Sequence, residues 1–202
     1  MKGGAMDSLI EGYRRFRAEE WPTQRARYQA MAANGQKPHT MVIACSDSRV
    51  DPATVFGAGP GEIFVVRNVA GLVPPYQPDG GRHGVSAALE FAVRVLKVAR
   101  IVVLGHAQCG GVKALVEGAP QVAQDFVVPW MTVASAVLRD GGDHDLAHYE
   151  RAVVRLSLDN LMSFPWIAEE AAAARLSLYG CLFDVHDGTL SRLEGDRFIT
   201  LS

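Results

Sequence analysis

An α/β fold is what this sequence predicts: a mostly parallel central sheet with flanking helices, an antiparallel edge strand near the C-terminus, and an N-terminal helical arm. Three observations lead there. Short β-branched apolar runs, Met41-Val42-Ile43-Ala44 and Ile101-Val102-Val103-Leu104-Gly105, read as strands covered on both faces. Stretches with apolar residues at helical spacing lie between such runs. The resulting β-α-β order implies right-handed crossovers and therefore parallel pairing.

The 202 residues fall within the range of one large domain. A single domain over 1–202 is expected, with 1–38 as the helical arm. Leu9 to Asn34 carries the helical pattern, broken near Trp21-Pro22, and Asn34-Gly35 stops it ahead of Pro38. The first strand runs to Cys45. Asp51-Pro52 is a cap followed by proline at the first helical position, and Gly57-Ala58-Gly59-Pro60-Gly61 ends the short helix it opens. Glu62 to Val66 is the second strand. Beyond Pro74, Pro75 and Pro78, a helix over Gly84 to Leu96 places Val85, Leu89, Ala92, Val93 and Leu96 on one face, and Arg100 to Gly105 forms the third strand. Further helices are expected within Gly111 to Glu117, Asp125 to Leu138, His144 to Met162 and Trp166 to Ala174. Leu176 to Val185 and Leu190 to Leu193 close the sheet, joined by His186-Asp187-Gly188-Thr189 with Asp187-Gly188 as the hairpin signal.

A formal net charge of −2 gives no general attraction to nucleic acid or anionic lipid, and no apolar run is long enough to span a bilayer. Nucleic-acid and membrane partners are not expected; small-molecule chemistry leads. Arg14, Arg15, Arg17, Arg25 and Arg27 make the arm locally basic, but Glu11, Glu19 and Glu20 lie among them, as on a solvated helix face. Three cysteines do not make a disulfide framework, and the amino terminus lacks the apolar core of a signal peptide. A reducing cytoplasm is the expected location.

Two clusters carry the chemistry. Cys45-Ser46-Asp47-Ser48-Arg49 follows the first strand, and His106-Ala107-Gln108-Cys109-Gly110-Gly111 follows the third. Ligands at the carboxyl ends of neighbouring parallel strands converge despite their separation in sequence. Cys45, His106 and Cys109 offer Zn²⁺ two thiolates and an imidazole, and a catalytic zinc keeps its fourth position for water. Cys109 stands just before a helix, whose free N–H groups favour the thiolate. Asp47 either closes the metal as fourth ligand or points away. Arg49, two residues on, can hold it in a charge-assisted pair and leave the metal open.

Other features read as structural. Cys181 sits inside an apolar strand without a ligand partner nearby in sequence, as a core residue. His144 and His148 belong to the polar stretch around Gly141-Gly142-Asp143-His144-Asp145, and His39 and His83 are loop histidines. The glycines of 57–61 lack a phosphate-binding order and precede a strand instead of following one.

With these residues in view, the chain resembles the β-class carbonic anhydrases, zinc enzymes that interconvert carbon dioxide and bicarbonate. Cys45-Ser46-Asp47-Ser48-Arg49 is similar to the family's first signature and His106-x-x-Cys109-Gly110 to its second. Pro60-Gly61-Glu62 through Arg67-Asn68-Val69-Ala70 resembles the stretch between. The resemblance implies one Zn²⁺ per subunit and attack of zinc-bound hydroxide on carbon dioxide, with Asp47 and Arg49 catalytic. It also implies a substrate-binding set. Gln36 resembles a glutamine that reaches the site from a partner subunit, while Phe64, Val69 and Phe91 match an apolar wall. Gly110 belongs to the same set; it and Gly111 are expected to let the backbone pass close. A homodimer at minimum follows, and family members assemble further, to tetramers. Members that close the metal carry a tryptophan three residues before the first cysteine; Val42 stands there, placing this chain with the open, plant-like subtype. Two rivals share these residues: a sister hydrolase acting on carbon disulfide or carbonyl sulfide, and a binding or regulatory protein with a permanently closed zinc.

Overall fold

The computed structural model describes residues 5–139, 142 and 144–202, so Gly141 and Asp143 of the polar histidine stretch lie outside the described residues. The backbone forms two units, a helical one up to Lys37 and a larger one over Pro38–Ser202. In the first, α1 (Ala5–Arg15) and α2 (Trp21–Asn34) are joined by a wide π-type turn over Phe16–Glu20. The break anticipated near Trp21-Pro22 takes this form because Pro22 has no N–H to continue the helical ladder. Phe16, Trp21 and Tyr28 gather beside it, with ring centroids 5.2 Å apart for the closest pair.

The second unit begins with β1 (Thr40–Cys45), α3 (Pro52–Val55), β2 (Ile63–Asn68), α4 (Gly84–Glu90) and β3 (Arg100–His106). It continues with α5 (Gly110–Glu117), α6 (Val127–Met131), α7 (Leu146–Met162) and α8 (Pro165–Ala172), then β4 (Ser177–Phe183), β5 (Leu190–Glu194) and β6 (Arg197–Thr200). One six-stranded sheet runs β2-β1-β3-β4-β5-β6. The pairings among β1, β2, β3 and β4 are parallel, and those of β4 with β5 and β5 with β6 are antiparallel.

Alternation along β1 buries both of its faces. Met41 and Ile43 join Ile101, Val103, Leu89, Leu161 and Ile167 on one side. Val42 and Ala44 join Val50, Leu104 and Cys181 on the other, so Cys181 is a core residue. The cap read at Asp51 is present, its carboxylate accepting the Thr54 N–H at 2.9 Å.

Three boundaries differ from expectation. β2 continues to Asn68 instead of ending at Val66, because Arg67 and Asn68 pair with Ala44 and Cys45 while their polar side chains serve the adjoining loops. The helix after Gly84 leaves α geometry at Phe91, where a π-type turn over Phe91–Val95 carries it to the next strand. The antiparallel edge has two strands, not one. β6 is four residues with little apolar pattern, turned back by Gly195 at φ +56°.

Helix α7 lies close against the end of the sheet that carries His106. Val154 fits a slot between Gly105 and Gly180, where an added Cβ would stand 2.5 Å and 2.9 Å from its methyl groups. Valine in a helix is stiff at χ1, so it cannot turn away. Gly105→Ala is expected to destabilise the fold by about 1–3 kcal/mol through overpacking. Urea unfolding would show this as a lower midpoint at unchanged slope.

Candidate active site

β1 and β3 are adjacent and run the same way, with Ala44 opposite Leu104, so Cys45 and His106 emerge side by side at the carboxyl edge. Arg67 on β2 shapes the turn after Cys45. Its guanidinium donates to the carbonyls of Cys45 at 2.9 Å, Asp47 at 2.6 Å and Val50 at 3.1 Å, which holds the loop bearing Asp47 and Arg49. On the other side, Gln108 takes a left-handed φ of +56°, and Cys109 becomes the cap residue of α5.

The ligand atoms of Cys45, His106 and Cys109 all lie within 4.8 Å of one another, and all three residues are buried. The two sulfurs are 4.0 Å apart. Tetrahedral zinc with Zn–S bonds of about 2.3 Å would set them about 3.8 Å apart. His106 Nδ1 is 2.9 Å from the Ala107 carbonyl, which can only accept, so Nδ1 donates there and Nε2 is the nitrogen left for a metal. Nε2 is buried and has no hydrogen-bond partner. An orphaned imidazole nitrogen aimed at two converging sulfurs fits Zn²⁺. The two sulfurs lie within hydrogen-bonding reach of each other. The Cys109 side chain pushes the Cys45 thiol down, with His106 adding to the effect, while the Cys45 sulfur, followed by burial, pushes Cys109 up. Zinc held by Cys45, His106 and Cys109 would favour the thiolate form of both sulfurs.

Asp47 is committed to Arg49. Its Oδ1 accepts the Arg49 backbone N–H at 2.9 Å and Nε–H at 3.0 Å, and its Oδ2 accepts from a terminal nitrogen at 2.7 Å. The Arg49 side chain holds the Asp47 carboxyl far below the ordinary carboxylate range. Oδ2 stands 3.9 Å from His106 Nε2. Even so, Asp47 is not in the three-residue ligand set. Arg49 also donates to the Gln108 carbonyl at 2.9 Å, tying the two clusters together.

The remaining expected site residues divide. Val69 stands beside the ligand turn: a Cβ on Gly111 would meet its Cγ1 at 2.8 Å, and its carbonyl accepts the Trp130 indole N–H at 2.9 Å. Close backbone approach is real at Gly111 and absent at Gly110, where an added Cβ meets nothing within 4 Å. Phe64 and Phe91 pair with centroids 6.0 Å apart. Phe64 lies opposite Met41, four residues along β2 from Asn68, the partner of Cys45, and so roughly 13 Å from the ligand edge of its own chain. Gln36 is exposed in the first unit. His144 and His148 stack on each other at 3.8 Å. An open cleft of about 770 Å³, lined by Tyr76, Arg82, His83, Glu90 and Trp166 among others, contains none of the expected site residues.

One residue was missed. Glu150 on α7 is 3% exposed, and its carboxylate accepts the Cys109 N–H at 2.9 Å. The signal was present: Leu146, Glu150, Val153, Val154, Ser157 and Leu161 fall at helical spacing on the face that turns inward.

Fold and site together define an α/β protein with a candidate metal centre at the carboxyl ends of adjacent parallel strands. Residues 40–190 match the carbonic anhydrase family, and the chain belongs to it, in its β class. It is 36% identical over 206 residues to a carbonic anhydrase of Pseudomonas aeruginosa, covering 98% of this chain and 92% of that protein. It is 35% identical over 199 residues to the chloroplastic beta carbonic anhydrase 5 of Arabidopsis thaliana; this covers 94% of the chain, which spans 65% of that relative's length. Among solved structures, the β-carbonic anhydrase CcaA superposes with a TM-score of 0.90 at 29% identity, over 97% of this chain and 99% of that one. A tetrameric β-carbonic anhydrase of Sordaria macrospora superposes with a TM-score of 0.80 at 26% identity, over 95% and 98%.

Cys45→Ser, His106→Ala and Cys109→Ser are each expected to abolish stoichiometric zinc binding, because three ligands leave none to spare. Cys181→Ser should keep the metal. Metal analysis of the purified variants decides both.

Proposed function

We propose that this protein is a zinc-dependent carbonic anhydrase of the open subtype, interconverting carbon dioxide and bicarbonate. The observation that carries the reading is the Cys45-His106-Cys109 cluster with Asp47 beside it but engaged by Arg49. Zinc bound there supplies what the side chains lack, the acidification of water into a nucleophile at working pH. Asp47 would accept a hydrogen bond from that water and orient it, while Arg49 fixes the direction of the carboxylate. Val69 at the mouth offers an apolar surface to a nonpolar substrate. Two thiolates neutralise the metal's charge, so water is acidified less than beside three imidazoles. Turnover therefore rises toward alkaline pH.

Within one chain the wall is incomplete. Phe64 and Phe91 stand away from their own metal edge with Phe91 43% exposed, and α1 presents Met6, Leu9, Ile10 and Tyr13 to solvent. A second copy supplying Gln36, Phe64 and Phe91 to its neighbour's site resolves both facts, and the assembly is a homodimer or larger. Light scattering at assay concentration should find no active monomer. No helix among the described residues is long and apolar enough to cross a membrane. Three free buried cysteines suit the reducing cytoplasm.

Stopped-flow measurement of carbon dioxide hydration by the zinc-loaded protein tests the activity, and carbon disulfide and carbonyl sulfide should release no sulfide. Arg49→Ala is expected to retain zinc yet lose most of the activity, because an unpaired Asp47 has no better partner than the cation. Asp47→Ala should keep partial activity. A structure of zinc-loaded Arg49→Ala with Asp47 still remote from the metal would refute the role given to the pair.

A further inference from the structure

One peptide group is gripped from both sides. The carbonyl of Gln108 accepts from Arg49 at 2.9 Å, and the N–H of the same peptide unit, that of Cys109, donates to Glu150 at 2.9 Å. The unit needs such a grip. Gln108 is a non-glycine residue at φ +56°, a conformation that costs about 1 kcal/mol or more. Cys109, the cap residue of α5, makes no side-chain capping bond of its own. Rotation of this one peptide plane would reverse both groups, take the acceptor from Arg49, and turn Cys109 from its fellow ligands.

Glu150 is an unusual residue to find there. It is a carboxylate 3% exposed, on a buried helix face shared with Tyr149, Val153, Val154, Ser157 and Leu161. The cluster beside it contains Cys45, Cys109, Ala70, Leu72 and Met131. A carboxylate is desolvated in such a place at considerable cost unless it makes strong hydrogen bonds. The free N–H groups at the start of α5 answer that need, and a negative charge suits that end of the helix.

We propose that Glu150 is a positioning residue for the metal centre: by holding the Cys109 N–H it locks the Gln108–Cys109 peptide, and through it aims both the Cys109 sulfur and Arg49. It touches neither substrate nor metal. The inference rests on Cys45, His106 and Cys109 binding zinc, but not on the identity of the substrate. Its effect reaches Asp47 by the route Glu150, peptide 108–109, Arg49, Asp47, so the ligand geometry and the open fourth position have a common support on α7.

The test compares Glu150→Gln, which keeps an acceptor oxygen, with Glu150→Met, which does not. Zinc release into a chromophoric chelator is the first readout, and carbon dioxide hydration the second. Glu150→Met is expected to release zinc at least tenfold faster and to lose tenfold or more in kcat, as loss of a partner behind a metal ligand usually does. Glu150→Gln should stay within about threefold on both, a rescue that a merely space-filling role would not distinguish from Met. Zinc release from Glu150→Met at the wild-type rate overturns the proposal. Should Glu150→Met not fold, the wild type decides by itself: the Cys109 amide proton in zinc-loaded protein must resonate downfield and exchange slowly, and an ordinary shift with fast exchange overturns it. Failure of wild type to bind zinc would instead sink the metal assignment, and zinc retention without hydration would sink the substrate alone.

Discussion

Everything at this site depends on β1 and β3 lying side by side and pointing the same way. Their parallel pairing brings Cys45 and His106 to one edge, although 61 positions of sequence numbering separate them, from 45 to 106. The pairing is stable because both strands are buried on both faces, which only helices packed on either side of a sheet allow. The third ligand then needs no strand of its own. Two residues after His106 suffice to turn the chain, provided Gln108 accepts a left-handed backbone and Cys109 can begin a helix. A sheet buried on both faces thus fixes the positions of polar ligands at its carboxyl edge.

Charge completes what the sheet begins. Two sulfurs 4.0 Å apart and a buried imidazole nitrogen without a hydrogen-bond partner form a pocket suited to a divalent ion. Against that ion, Asp47 is a competing ligand two residues from Cys45. Arg49 would win that competition by geometry as much as by charge, since its Nε–H and a terminal N–H meet the two carboxylate oxygens in a planar fork and its backbone N–H adds a third bond. Arg67 does equivalent work on the backbone beneath, satisfying three carbonyls that would otherwise face one another in a tight loop. The placement of Asp47 beside the ligand cluster is therefore the product of two guanidinium groups with separate tasks.

What could be read from the sequence divides along physical lines. Cys45, His106, Cys109, Asp47 and Arg49 were legible because each lies within a few residues of a strand end, where local pattern and chemistry coincide. The strands β1 and β3 were legible because burial on both faces leaves continuous apolar runs. β2 was read two residues short, since Arg67 and Asn68 carry side chains that look like loop and act as loop supports while their backbone stays in the sheet. β6 was missed because an edge strand needs little apolar pattern. Glu150 was missed for the opposite reason: a glutamate on a helix reads as solvated, although its spacing with Leu146, Val153, Val154, Ser157 and Leu161 puts it on the inward face.

The substrate wall marks the limit of one chain. Phe64 and Phe91 belong together in space, yet strand register places Phe64 roughly four residues, about 13 Å, from the ligand edge that they were expected to face. Register in a parallel sheet cannot slip without turning Met41 and Ile43 out of the core, so no local adjustment closes that gap. Either the wall is unnecessary, or it comes from elsewhere. Dry apolar contact is the only selective interaction a small nonpolar substrate can make, and Val69 alone covers little of it. Under the proposed function, the half-buried Phe64 and the exposed Phe91 would be half of a site, facing the metal edge of another copy while their own metal edge receives the same residues in return. A two-fold arrangement of this kind makes each centre depend on two cores at once.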